Sequence, residues 1–166
     1  MIRRFSDPVR SSLLAALLSA ALAVPAGAAS KATVAYLGQA VPGGGVFAGP
    51  SFVGEPSAAG NGWIAFRAQV VGSTTEQIVV ANLVTHQRSV VASVGGTISK
   101  DIGKVKQFLG RPTVNANGDV VFAAVITLPD GVKVDPTAPT PAGIFLFSQN
   151  TLTAVAAPGL DTGLGL

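Results

Sequence analysis

The chain has 166 residues, of which 48% are apolar and 11% charged, with 20 Gly, 11 Pro, one His and no Cys. This length suits one domain or a few units of a repeat, and so low a charge excludes a charge-rich disordered chain. Without Cys, disulfides, Cys-ligated zinc, iron–sulfur clusters and a thiol nucleophile are excluded, and one His leaves little room for imidazole-based metal binding.

The N-terminus reads as an address. Arg3, Arg4 and Arg10 precede an apolar run from Leu13 to Val24, Pro25 breaks it, and Ala26-Gly27-Ala28 supplies small residues. That layout predicts a secretory signal over residues 1–28, helical in its apolar part and cleaved after Ala28. The run is about 12 residues, short of the roughly 20 needed to span a bilayer, so no membrane span is expected after cleavage. The expected location is secreted, periplasmic or at the cell surface. Residues 29–166 hold eight Lys/Arg and seven Asp/Glu, a net charge of +1. The basic pI near 9.7 therefore owes much to the leader and does not indicate nucleic-acid binding. The one basic cluster is Lys100, Lys104, Lys106 and Arg111. Phe108 is the only aromatic residue beside it, so it reads as a solvated loop.

Beyond the leader the chain repeats. Residues 52–68 lie over 108–124 at an offset of 56, with seven of seventeen positions identical. Chance at this composition would give roughly one or two. Val34-Ala35-Tyr36-Leu37-Gly38 also resembles Val91-Ala92-Ser93-Val94-Gly95 and Val155-Ala156-Ala157-Pro158-Gly159. The units are 29–95, with a lead-in strand near Thr33–Leu37, and 96–166, which includes the start of a possible third. A fixed period of this kind makes each unit one supersecondary module.

Within a unit the period is two. Ile64, Phe66, Ala68 and Val70 share one strand face, as do Val120, Phe122, Ala124, Ile126 and Leu128, and alternation of this length predicts β structure. Residues 77–83 and 143–147 are apolar nearly throughout, which predicts strands covered on both faces. Asn61-Gly62 and Asn117-Gly118 predict two-residue type I′ hairpins. Polar turns are expected at 85–87 and 149–151. Each unit is thus expected to hold four short strands, near 56–59, 63–71, 77–83 and 88–94, then near 112–115, 119–128, 143–148 and 152–157. The predicted class is all-β, with repeated four-stranded antiparallel units resembling propeller blades. Two units are fewer than the four to eight that close a ring, so an incomplete propeller is the expectation, with sheet edges open to self-association.

Asn115-x-x-Gly118-x-x-Val121-Phe122 resembles the signature of exported bacterial tandem-repeat proteins marked by an Asn-x-x-Gly-x-x-Ala-Phe motif, with Val121 in place of Ala. The first unit keeps Gly62, Ala65 and Phe66 and has Ala59 in place of Asn. Pro56 and Pro112 belong to matching Phe-x-Gly-x-Pro stretches. The resemblance implies propeller-like repeats, a surface or secreted location, a variable C-terminal anchor and no established activity. From the residues alone the signature is structural: Gly118 gives the turn its positive φ, Asn115 bonds nearby backbone, and Phe122 plugs a sheet face.

Chemistry-bearing residues are few. His86 lies in a polar turn near Ser89, with Glu76 as the nearest preceding carboxylate. Asp130 and Asp135 flank a loop, and Asn115, Asn117 and Asp119 place oxygens at alternate positions. Neither a nucleophile elbow, a phosphate loop nor an EF-hand spacing occurs. The expected function is a non-catalytic structural, adhesive or binding module without cofactor or metal. A surface glycan or protein is the conceivable ligand. The alternative is an exported hydrolase or lyase using Asp130, Asp135, Glu76 or His86, which would require two of these groups to converge in one pocket.

Overall fold

The computed structural model describes residues 33–71, 76–132 and 137–158, and the side chains of all of these except 49–51. They belong to one compact unit, Thr33–Leu166. The expected signal segment and its helix lie outside the described residues, as does Asp135.

The described chain is all-β and antiparallel. Strands β1 (Val46–Ala58), β2 (Trp63–Val71), β3 (Glu76–Asn82) and β4 (Arg88–Ser93) form a four-stranded sheet in chain order. Strands β5 (Thr97–Ser99), β6 (Gly103–Val114), β7 (Val120–Thr127), β8 (Ala142–Ser148) and β9 (Thr151–Ala156) form a second sheet, also in chain order. Such up-and-down meanders are what propeller blades are made of. A short turn, Gly60–Gly62, joins β1 to β2, with Asn61 at φ +60° and ψ +21°, outside the right-handed helical region.

The repeat is expressed in the hydrogen-bond register. Phe52 faces Ala68 and Ala58 faces Ile64 in the first sheet; Phe108 faces Ala124 and Val114 faces Val120 in the second. Phe66 faces Val79, and Phe122 faces Phe145. Even the irregularities recur, between Ile78 and Val79 and again between Ile144 and Phe145. The first strand of each unit is much longer than the alternating pattern suggests. β1 and β6 run 13 and 12 residues because each continues through a bulge, between Val53 and Ser57 and between Leu109 and Thr113. Gly54 and Gly110 adopt φ of +75° and +60° there, and Pro56 and Pro112 sit where the ladder is broken and a missing N–H costs nothing.

The lead-in near Thr33–Leu37 is not a strand. It is irregular, ends in a turn, and leads to a lone bridge between Ala40 and Val46. Its docking nonetheless repeats. The N–H of Gly38 donates to the Phe47 carbonyl, and the N–H of Phe47 to the Gln39 carbonyl, at 2.8 and 3.0 Å. Gly95 with Val105, and Val105 with Gly96, make the same two bonds at 2.8 and 3.0 Å. The extra strand β5 is the counterpart of the Ala40 bridge, since Thr97 faces Lys104.

The turns differ from the expected pair of type I′ hairpins. At β6–β7 only Gly118 has positive φ, and its N–H donates to the Asn115 carbonyl at 3.1 Å, so the loop has three residues and ends in a left-handed glycine. At β1–β2 both Asn61 and Gly62 have positive φ, but the loop includes Gly60 and closes between Ala59 and Trp63. The two-residue loop with both φ positive is Gln149-Asn150, between β8 and β9.

Two hydrophobic layers result. One lies between the sheets and joins Ala65, Ile78, Val80, Val91 and Ala92 of the first to Phe108, Val120, Phe122, Ile126 and Phe145 of the second. The other covers the opposite face of the first sheet, where Phe47, Phe66, Ala68, Val70 and Val79 meet Val34, Ala35 and Val41. β3 is therefore buried on both faces, as its apolar run predicts. β8 is not: Phe145 is buried, while Ile144 on the other face is 45% exposed.

Candidate functional site

The signature residues build one corner of the molecule. Asn115 closes its own loop. Its Oδ1 accepts the N–H groups of Asn117 and Asp119 at 2.9 and 3.0 Å, and its Nδ2 donates to Asp119 Oδ2 at 2.8 Å. Ser148, the last residue of β8, donates its hydroxyl to Asp119 Oδ1 at 2.6 Å. These bonds favour the charged carboxylate, the Ser148 hydroxyl first and the Asn115 amide second, and hold the Asp119 pKa below its ordinary 3.8.

Gly118 does two jobs. Its φ is +87°, and a Cβ built on it would lie 2.7 Å from Cε2 of Trp63. The indole at the start of β2 therefore rests on the turn of the second sheet. Asn61 adds a bond across the sheets, its Nδ2 donating to the Ala116 carbonyl at 3.3 Å.

The first unit lacks the Asn at position 59 and uses another device. Asn82, at the end of β3 and only 6% exposed, donates to the Asn61 carbonyl at 3.0 Å and accepts the N–H groups of Val84 and Thr85. Asn82 faces Trp63 in the ladder and is the counterpart of Ser148. Trp63, Asn82 and Ser148 carry no signal in a single sequence. Each is a strand-end residue: Trp63 meets the turn of the other sheet, Ser148 meets Asp119 of the β6–β7 turn, and Asn82 binds the Asn61 carbonyl and two N–H groups of its own turn.

Beside this corner opens a polar cleft of about 500 Å³, lined among others by Trp63, Arg88, Ser89, Asn117, Asp119 and Asn150. Arg88 is anchored by a 2.6 Å bond to the Val34 carbonyl. An aromatic face among amide, hydroxyl and guanidinium groups can hold a polar ligand.

The other candidates do not meet there. Glu76 is bound to Arg67, with 2.6 Å between Arg67 Nη2 and Glu76 Oε1, and Arg67 Nη1 also donates to the Gly110 carbonyl of β6. His86 is an exposed turn residue with φ of +58°. It lies beyond the far end of β3 from Glu76, about 20 Å away at the usual strand rise. Asp130 is exposed and shares a pocket with Lys100 and Lys104. Arg111 pairs with Glu55 at 3.3 Å. Among the described residues, no group of three or more His, Asp or Glu comes together as a metal site would require. Pro56 is exposed and Pro112 buried, whereas Phe66 and Phe122 are both buried, at 6% and 2% exposure.

A family model described as a family of unknown function, DUF7453, matches residues 16–162 and so spans both sheets; the chain belongs to that family. No curated protein and no solved structure matches the chain.

Proposed function

We propose that the chain is an exported, non-catalytic β-repeat module of the kind marked by the Asn-x-x-Gly-x-x-Ala-Phe signature, acting as a structural, adhesive or binding element. The observation that carries this reading is the use made of the signature. Asn115, Gly118 and Asp119 are engaged in closing a hairpin and seating it under Trp63 of the preceding sheet. A residue set so engaged stacks one repeat on the next, and any recognition falls to the surfaces that stacking exposes, such as the cleft beside Trp63. The leader pattern supports export, and the location is then secreted, periplasmic or cell-surface.

The test has two parts. Mass spectrometry of the exported protein should find an N-terminus at Ala29 or a close neighbour; an intact Met1 on exported material would contradict the export reading. The same material should turn over neither polysaccharide nor peptide substrates. Turnover that Glu76→Gln, His86→Ala or Asp130→Asn abolishes would establish the hydrolase alternative instead.

A further inference from the structure

The two sheets share their strand register but differ in exposure, and the difference is systematic. On the face of the first sheet that packs against the second, Ala65, Ile78, Val80 and Val91 are all at most 5% exposed. Their register counterparts on the second sheet are Val121, Ile144, Leu146 and Val155. There Val121, Ile144 and Val155 are 41, 45 and 50% exposed, and Leu146 is half-buried. The charged pair Arg67 and Glu76 is replaced at the same places by Ala123 and Ala142, so this face is also less polar. Leu109, Ala123 and Ile144 line an open apolar pocket on it.

The opposite faces show the reverse. Phe108, Pro112, Val114 and Val120 of the second sheet are buried under the first. Their counterparts Phe52, Pro56 and Ala58 are exposed, Phe52 at 45%, and Ile64 is half-buried. The ring pair itself is unchanged: Phe52 to Phe66 is 5.8 Å and Phe108 to Phe122 is 5.7 Å, both edge-on. Phe52, Pro56, Ile64 and Phe66 line an apolar pocket of about 310 Å³, closed on one side by Val34 and Ala35.

We infer that these two open faces fit each other in a second copy of this chain. The outer face of β6–β8 in one copy takes the Phe52 face of the next, head to tail, by the same interface that already joins the two sheets within a chain. Charge agrees with this placement. Within the chain Glu55 meets Arg111. In the stack, Arg111 stands where Glu55 stood and meets Glu55 of the next copy, so opposite signs still face each other. The lead-in of that next copy covers the β3–β4 half of its face and must yield to the end of β9. It is held by the Arg88 bond to the Val34 carbonyl, by the packing of Val34, Ala35 and Val41, and by the Gly38 and Gln39 backbone bonds and the Ala40 bridge, but not by a full ladder. Phe47 of β1 is buried as well, whereas the part of β1 around Phe52, Pro56 and Ala58 is open. Such an interface is heterologous, so it builds a closed ring or an open stack rather than a two-fold dimer. A ring of four to eight sheets would take two to four copies. The inference rests on the repeat register and not on export or ligand binding.

Analytical ultracentrifugation tests it with the full chain and the form starting at Ala29, side by side. Both should associate as concentration rises. Ile144→Lys and Phe52→Glu, each at an exposed position, should each shift association at least tenfold to higher concentration, with circular dichroism near wild type and a cooperative melt that leaves each variant folded at the temperature of the measurement. If Ile144→Lys fails to fold, Val121→Lys replaces it. Mixing the two variants should restore a dimer, because one supplies an intact Phe52 face and the other an intact Ile144 face. A wild-type monomer at several hundred micromolar would overturn the inference. So would association lost in Ile144→Lys but kept in Phe52→Glu, which means two like faces meet, or failure of the mixture to associate.

Discussion

A left-handed glycine beneath an indole leaves no room for a side chain, and Gly118 is held in that position from both directions. Alanine there costs about 1–2 kcal/mol for the backbone alone, and the ring of Trp63 must also move. Gly131 has the same φ of +87° with open space around it, so it isolates the backbone part. Gly118→Ala is expected to destabilise by clearly more than Gly131→Ala in urea titration. Asp119 adds a pH-dependent contribution. Its folded pKa lies below the unfolded value, so its stabilisation is present above about pH 4 and is lost as pH falls through the folded pKa. Melting temperatures between pH 2.5 and 6 should fall with acid less steeply in Asp119→Asn than in wild type, while the variant is the less stable of the two at pH 6. The phenylalanines give a third comparison. Phe108 is 2% exposed and Phe52 45%, in the same repeat position. Phe108→Ala should cost about 3–5 kcal/mol, and Phe52→Ala less than half as much in the monomer.

At the scale of an element, Arg67 and Glu76 show why one pattern can serve two surroundings. Both side chains are largely buried, at 13% and 18% exposure, in a ladder position that the second unit fills with Ala123 and Ala142. Arg67→Ala leaves Glu76 without its counter-ion and the Gly110 carbonyl without its donor, at about 2–4 kcal/mol. Adding Glu76→Ala recreates the second unit's arrangement. The double variant should therefore be less destabilised than the sum of the singles, and a double-mutant cycle measures the difference. Strand placement was largely legible, because period-two alternation in β2 and β7 reports the backbone directly. The lengths of β1 and β6 were not. Irregularities between Phe47 and Phe52 and between Val105 and Gln107 reset the alternation, so Phe47 and Phe52, and likewise Val105 and Phe108, share a face although an odd number of positions separates them.

Taken whole, the described unit has one hydrophobic layer shared between its two sheets and a second on the far face of the first. Trp63, the chain's only tryptophan, stands at the contact between the two sheets. Unfolding followed by Trp63 fluorescence and by far-ultraviolet circular dichroism should give coincident transitions; separated midpoints would mean that the sheets unfold independently. Residue spacing alone was enough for the all-β class, the 56-residue period, the buried phenylalanines at 66 and 122, and the turn at Gly118. Each of these is a local preference written in residue spacing or in the φ that only certain residues adopt freely. Which faces are covered was settled by how the sheets and the lead-in pack. The apolar run of β8 reads like that of β3, but β3 has a layer on either side, whereas Ile144 on β8 faces outward. Contact across stacked sheets joins residues far apart in the chain, 55 positions for Trp63 with Gly118 and 43 for Arg67 with Gly110. No local pattern records such a contact, so the candidate site became visible only once one sheet lay on the other.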